Sequence, residues 1–215
     1  MTVPARTSTI IVRALRRAWP SLAAPVKLLP TRNPYHVLVA AVLSPRTTDP
    51  VTAAASTRLF RLAPTPAALA RLTPAKLEKV IYPVGFYPTK AKRLPELARR
   101  LVQIGRVPDT MTELLELPGV GRKVANIVLS QAFGQPAIAV DTHVQRVSNR
   151  LGLVRTTRPE QTEQELTRIL PVRYRAEWNR LIVALGQTIC RPLVPKCSIC
   201  PMRRWCRRVG VTRSL

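Results

Sequence analysis

Six side chains carry most of the chemistry this sequence can perform: one lysine, one aspartate and four cysteines. Lys123 is one of seven lysines in a chain that holds 28 arginines. Arginine stays protonated and cannot act as an amine nucleophile, whereas a lysine among other cations can lose its proton near neutral pH. The same amine could equally hold a phosphate oxygen. Asp141 is the sole carboxylate between Leu117 and Pro159. In so cationic a stretch it could balance positive charge developing on a substrate. It also stands just before an apolar-periodic segment, where an aspartate N-cap is worth about 1 kcal/mol, and the two roles are compatible. His143 fits packing or hydrogen bonding in a first helical turn better than catalysis.

The cysteines fall in the last 26 residues with the spacing Cys190-x6-Cys197-x2-Cys200-x5-Cys206. Clustered thiols in a chain without secretory features point to a metal centre rather than a disulfide framework. Structural zinc usually takes two close pairs, and only Cys197 and Cys200 form one here. The wider flanking gaps suit a larger object such as a cubane iron–sulfur cluster, with zinc as the alternative and free or disulfide cysteines behind both. Arg191, Lys196, Arg203, Arg204, Arg207 and Arg208, between and after the thiols, would offset thiolate charge.

Thirty-five Lys and Arg against 11 Asp and Glu give a net charge of +24 over 215 residues, while 46% hydrophobic residues are enough to build a core. A folded protein so charged suits a polyanionic partner, and the arginine excess suits phosphate in particular. No apolar run approaches the roughly 20 residues of a membrane-spanning helix. Arg13, Arg16 and Arg17 interrupt what would have to be the apolar part of a secretory signal, so a cytoplasmic protein is expected.

These side chains need elements to position them, and the periodicity is helical throughout. Apolar residues recur three and four apart over residues 37–43, 94–104, 120–133, 140–151 and 181–189, and no stretch alternates as a half-buried strand would. An all-α fold is predicted. A short amphipathic helix is expected over residues 10–19, with Ile11, Leu15 and Trp19 on one face. Thr73-Pro74, Asp109-Thr110 and Thr157-Arg158-Pro159 read as starters of further helices. In Leu117-Pro-Gly-Val-Gly-Arg-Lys123, two glycines one residue apart permit a tight turn and leave backbone amides open at a helix N-terminus. This is a helix–hairpin–helix pattern in which Gly119, Val120, Gly121 and Arg122 would dock a DNA phosphate without sequence preference.

Taken in order, Leu117-Pro-Gly-Val-Gly-Arg-Lys-Val-Ala-Asn126, Ala139-Val-Asp-Thr-His143 with Arg146, Asn149 and Arg150, and the cysteine tail closely resemble the endonuclease III family of DNA glycosylases. Leu43-Ser44 with Thr48-Asp49, and Gly85 with Tyr87 and Lys90-Ala91, extend the match over nearly the whole chain. The resemblance implies a monomeric, two-lobed fold. One lobe would be a helical barrel over residues 25–135 and the other a discontinuous domain of residues 1–24 plus 136–215 holding a [4Fe–4S] cluster on Cys190, Cys197, Cys200 and Cys206. It further implies that double-stranded DNA containing damaged bases or abasic sites is the partner, with the damaged base turned out of the stack. Lys123 would attack the sugar C1′ and Asp141 would assist, so that oxidised pyrimidines are removed and the strand is nicked by β-elimination. Retention of Lys123 argues against the related mismatch adenine glycosylases, which lack it.

The sequence departs from the family pattern at Pro45, Arg46 and Thr47, at Phe86 and Pro88, and in Gly186-Gln-Thr-Ile-Cys190, and two of these positions bear on the lesion pocket. Arg46 stands where the family commonly has the Gln that fills the gap left by an extruded base, and Phe86 replaces an aliphatic wedge, with Pro88 close behind it. Both changes fall at the edge of the lesion pocket. The rival to a bifunctional enzyme is therefore a non-catalytic or lyase-only paralogue that binds damaged or bent DNA.

Overall fold

The computed structural model describes residues 5–22 and 31–215, with side chains from residue 8 onward. Among the described residues the chain is helical and contains no strand: α1 Ala5–Ala18, followed by a 3-10 turn Trp19–Leu22, then α2 Pro34–Leu43, α3 Asp49–Leu62, α4 Pro66–Ala70, α5 Pro74–Ile81, α6 Tyr87–Ile104, α7 Met111–Leu115, α8 Arg122–Gln131, α9 Thr142–Leu151, α10 Pro159–Ile169 and α11 Val172–Thr188. The expectation of an all-α protein is met. The chain divides into two compact units, Lys27–Gln135 and Met1–Val26 with Pro136–Leu215. The expected boundary at residue 25 lies outside the described residues.

Proline and short polar side chains set the helix starts. Pro34, Pro50, Pro66, Pro74, Pro88 and Pro159 all occupy the first two positions of a helix, where the missing N–H costs nothing. The side chains of Asn33, Thr65, Thr73 and Thr110 accept first-turn amides. In the Lys27–Gln135 unit, α2 is buried on almost every side, with Val37 to Leu43 all within the core, and it packs against α3 and α8. Helices α4 and α5 pack on α6. In the other unit, α11 buries Trp178, Leu181 and Ile182 against α9 and α1, while Ile11 and Leu15 of α1 are fully buried and Trp19 packs on the same core.

The structure moves several boundaries. Val120 lies in the turn and α8 opens two residues later, while residues 138–140, the apolar lead-in before the Asp141 cap of α9, are buried and not helical. Helix α11 begins nine residues before Leu181, because Arg173, Arg175 and Arg180 dilute its apolar pattern. Helix α3 carried no obvious periodicity. It buries Thr52, Ala55, Ser56 and Leu59, the right spacing filled mostly with small or polar residues.

Candidate active site and candidate metal centre

The hairpin is built by its glycines. Gly119 has φ +78°, a left-handed conformation that a side chain disfavours, and Val120 N–H then closes the turn onto Leu117 O at 3.1 Å. The side chain of Val120 is only 7% exposed, so what it offers a ligand is backbone. Gly121 is the N-cap of α8 and places no side chain over the first amides. These amides, at the positive end of the helix and followed by exposed Arg122, form an anion-binding start.

Lys123 follows as the second residue of α8 and is half-buried. Its ammonium donates to Ser44 Oγ at 3.0 Å, and Ser44 is the C-cap of α2. The loop after Ser44 is stitched to the loop before α6. Gly85 N–H donates to Thr47 Oγ1 at 3.0 Å, and Thr47 Oγ1 donates in turn to Leu43 O at 3.1 Å. Lys90 Nζ donates to Leu43 O and Pro45 O at 2.7 and 2.8 Å. At the tip of this joint stand two of the departing residues. Arg46 and Phe86 both hold left-handed backbones, with φ 56° and 57°, which is strained for side-chain-bearing residues. The Arg46 guanidinium lies 5.5 Å from the centre of the Phe86 ring, and that ring is 60% exposed. Sequence reasoning singled out these two positions separately, and the structure places them together.

Gly85 is what allows the loops to meet, since a Cβ added there would lie 2.2 Å from the Arg46 carbonyl oxygen. Gly85→Ala is expected to cost about 1–3 kcal/mol in chemical denaturation, through displacement of the Arg46 loop. An unchanged denaturation midpoint would show that the loops part freely.

Asp141, in the other unit, is the N-cap of α9, and its Oδ1 accepts Val144 N–H at 2.8 Å. That bond fixes the side-chain rotamer and leaves the second carboxylate oxygen outside the cap. His143 packs beneath Gly186, where an added Cβ would come within 2.7 Å of its Nδ1, and Arg146 lies 3.2 Å from the same nitrogen. It therefore sits in the packing between α9 and α11.

The four cysteines, all unpaired and half-buried, line one cavity together with Val147, Leu151, Leu185 and Met202. Burial, reinforced by the neighbouring thiols, pushes Cys200 up to about 11, and burial likewise raises Cys206. Such thiols become thiolates when a metal takes the place of the proton. Donors suited to anionic sulfur are already present: Arg150 Nη1 lies 3.6 Å from Cys190 Sγ, and Arg208 N–H lies 3.4 Å from Cys206 Sγ. The residues therefore fit a metal-bound set. Among the described residues, however, no group of three or more His, Cys, Asp or Glu is arranged to hold a single metal ion.

Comparison with known proteins decides the family. The HhH-GPD superfamily base excision DNA repair protein profile matches residues 39–172. Endonuclease III of Thermotoga maritima is 48% identical over 176 residues, covering 81% of this chain and 83% of that protein. The chain belongs to the endonuclease III family. The Escherichia coli endonuclease III is 35% identical over 81% of this chain and 83% of its own. A solved structure of a trapped endonuclease III–DNA covalent intermediate superposes with a TM-score of 0.85 at 34% identity, covering 96% of this chain and 97% of that one.

Within this endonuclease III fold, the sequence named the lysine, the aspartate and the cysteines but not the groups that hold them. Ser44 and Lys90 stand 79 and 33 positions before Lys123, and Arg150 stands 40 before Cys190. No local spacing relates residues so far apart. Ser44 and Lys90 entered only as letters of a matching motif. Among the described residues, no helix is long and apolar enough to cross a membrane.

Proposed function

We propose that this protein is a bifunctional base-excision-repair enzyme that removes oxidised pyrimidines from duplex DNA and nicks the resulting abasic strand. The observation that carries the reading is the Lys123 amine, set in the first turn of α8 beside helix-start amides suited to an anion and held at 3.0 Å by Ser44. A phosphate docked on the hairpin amides brings the sugar–phosphate backbone to a primary amine. The amine attacks the sugar C1′ and the base departs with the bonding electrons and a proton. The ring-opened Schiff base then permits loss of the 3′ phosphate by β-elimination. Asp141 is assigned the carboxylate role, taking up the proton from the amine and balancing oxocarbenium character at C1′. Arg46 and Phe86 are assigned to the duplex as stacking groups beside the extruded nucleotide, and Gly119, Val120, Gly121 and Arg122 to a phosphate.

The four cysteines are assigned to a [4Fe–4S] cluster. The irons of a cubane spread its sulfur ligands more widely than a single zinc would, which accords with four thiols around one cavity and no convergence on a point. Its contribution in this reading is to cross-link the tail after α11, a segment with no helix of its own. We assign the protein to the cytoplasm, associated with the nucleoid through its binding of DNA.

Borohydride trapping on two labelled duplexes, one with thymine glycol and one with an abasic site, tests the activity. Adducts on both are expected. Trapping on the abasic duplex alone would restrict the protein to lyase chemistry and point to Arg46 and Phe86, while tight binding with no adduct would favour a binding protein. Asp141→Asn separates cap from catalysis, because asparagine caps a helix as well as aspartate does. Base release is expected to fall about 10²–10⁴-fold with thermal stability retained. Equal losses of rate and stability would reduce Asp141 to its cap.

A further inference from the structure

We propose that Lys90 is a positioning residue for the Lys123 amine, holding the backbone on both sides of Ser44 so that the serine hydroxyl meets that amine. This rests on Lys123 being the nucleophile. Lys90 Nζ donates to Leu43 O and to Pro45 O, and between these two carbonyls stands Ser44, whose Oγ accepts from Lys123. Three consecutive residues are thus gripped by two lysines from different helices, α6 and α8. Leu43 is the last residue of α2, so its carbonyl belongs to the negative end of a helix and lacks an intrahelical partner. Thr47 Oγ1 also donates to both carbonyls, at 3.1 and 3.4 Å, so Lys90 and Thr47 together satisfy them without Lys123.

The alternative roles of a lysine do not fit Lys90. A phosphate ligand keeps its ammonium in solvent, whereas this one is half-buried with two of its donors spent on carbonyls of the same loop. Burial, and then the charge of Lys123, draw Lys90 down to about 8 from the usual 10.5. A lysine whose pKa is lowered on folding holds its proton less firmly in the native state, so below about pH 8 its charge opposes folding and stability rises with pH from there to 10.5. At neutral pH the fold tolerates this charge, a pattern expected of a group retained for function.

Two variants test the proposal: Lys90→Gln, which removes the charge but keeps an amide donor, and Lys90→Met, which removes both. Each is compared with the parent protein for duplex affinity, single-turnover borohydride trapping on an abasic duplex, and thermal midpoint at pH 7. In both variants trapping should slow about 10–100-fold, the effect of a misplaced reacting group. Affinity should stay within about threefold, and Lys90→Gln should melt at or above the parent midpoint. Unchanged trapping in both variants would overturn the proposal, and so would rate and thermal midpoint falling together in both, the mark of a structural cation. Failure of the parent protein to form any adduct would instead overturn the assignment of Lys123.

Discussion

Lys123→Ala is expected to bind an abasic duplex within about threefold of the parent protein and to form no borohydride-trappable adduct with it. Both halves follow from where the residue sits. The groups proposed to hold a phosphate are the hairpin's backbone amides and Arg122, which the substitution leaves in place, and the net charge changes only from +24 to +23. What disappears is the amine seated against Ser44. Loss of that hydrogen bond costs about 0.5–1.5 kcal/mol of stability, too little to unfold a domain. A lysine that served only as a phosphate contact gives the opposite pattern. Affinity would then fall with a shallower salt dependence while an adduct still formed through another amine. Measuring affinity and trapping on the same samples separates the two.

The second large effect is expected at the cysteines. The purified protein should be brown and absorb near about 400 nm, and Cys200→Ser should lose that absorbance together with about 10 °C or more of thermal stability. The magnitude follows from what the tail is anchored by. Beyond α11 there is no helix among the described residues, and the tail joins its unit through Met202, which is fully buried, and through Cys190, Cys200 and Cys206 packed on the same core. All four thiols line one cavity at the edge of the core, so a group bound there ties both ends of the tail to its unit. Metal analysis accompanies the spectrum. A colourless protein with one zinc per chain and no iron would replace the cluster with the other metal the spacing allows.

What was legible beforehand was local. Proline at helix starts, Thr and Asp caps, and the Gly119–Gly121 turn are each decided within three or four residues, and the structure places them as read. The misplaced boundaries have two causes: arginines dilute the apolar pattern at the start of α11, and elsewhere apolar residues run on outside the helix. Residues 138–140 are apolar and buried yet not helical, and burial alone does not distinguish a lead-in from a helix. Pro95, buried inside α6, departs from the helix-start position that Pro74 and Pro159 occupy, and tertiary packing overrides the preference there. The setting of the lysine was not legible at all. Ser44, Lys90 and Gly85 reach their partners across 79, 47 and 38 positions, through the packing of α2, α6 and α8. The pairing of Arg46 with Phe86 was hidden for the same reason, although each was marked by its departure from the family.

The most direct measurement of the central claim is the position of the covalent bond. The borohydride-reduced adduct with a thymine glycol duplex would be digested and the cross-linked peptide sequenced by mass spectrometry. The deoxyribose remnant should be carried on the side chain of Lys123. A remnant on Lys90, on the chain's terminal amine or on any other residue would contradict the assignment of the nucleophile and the mechanism built on it.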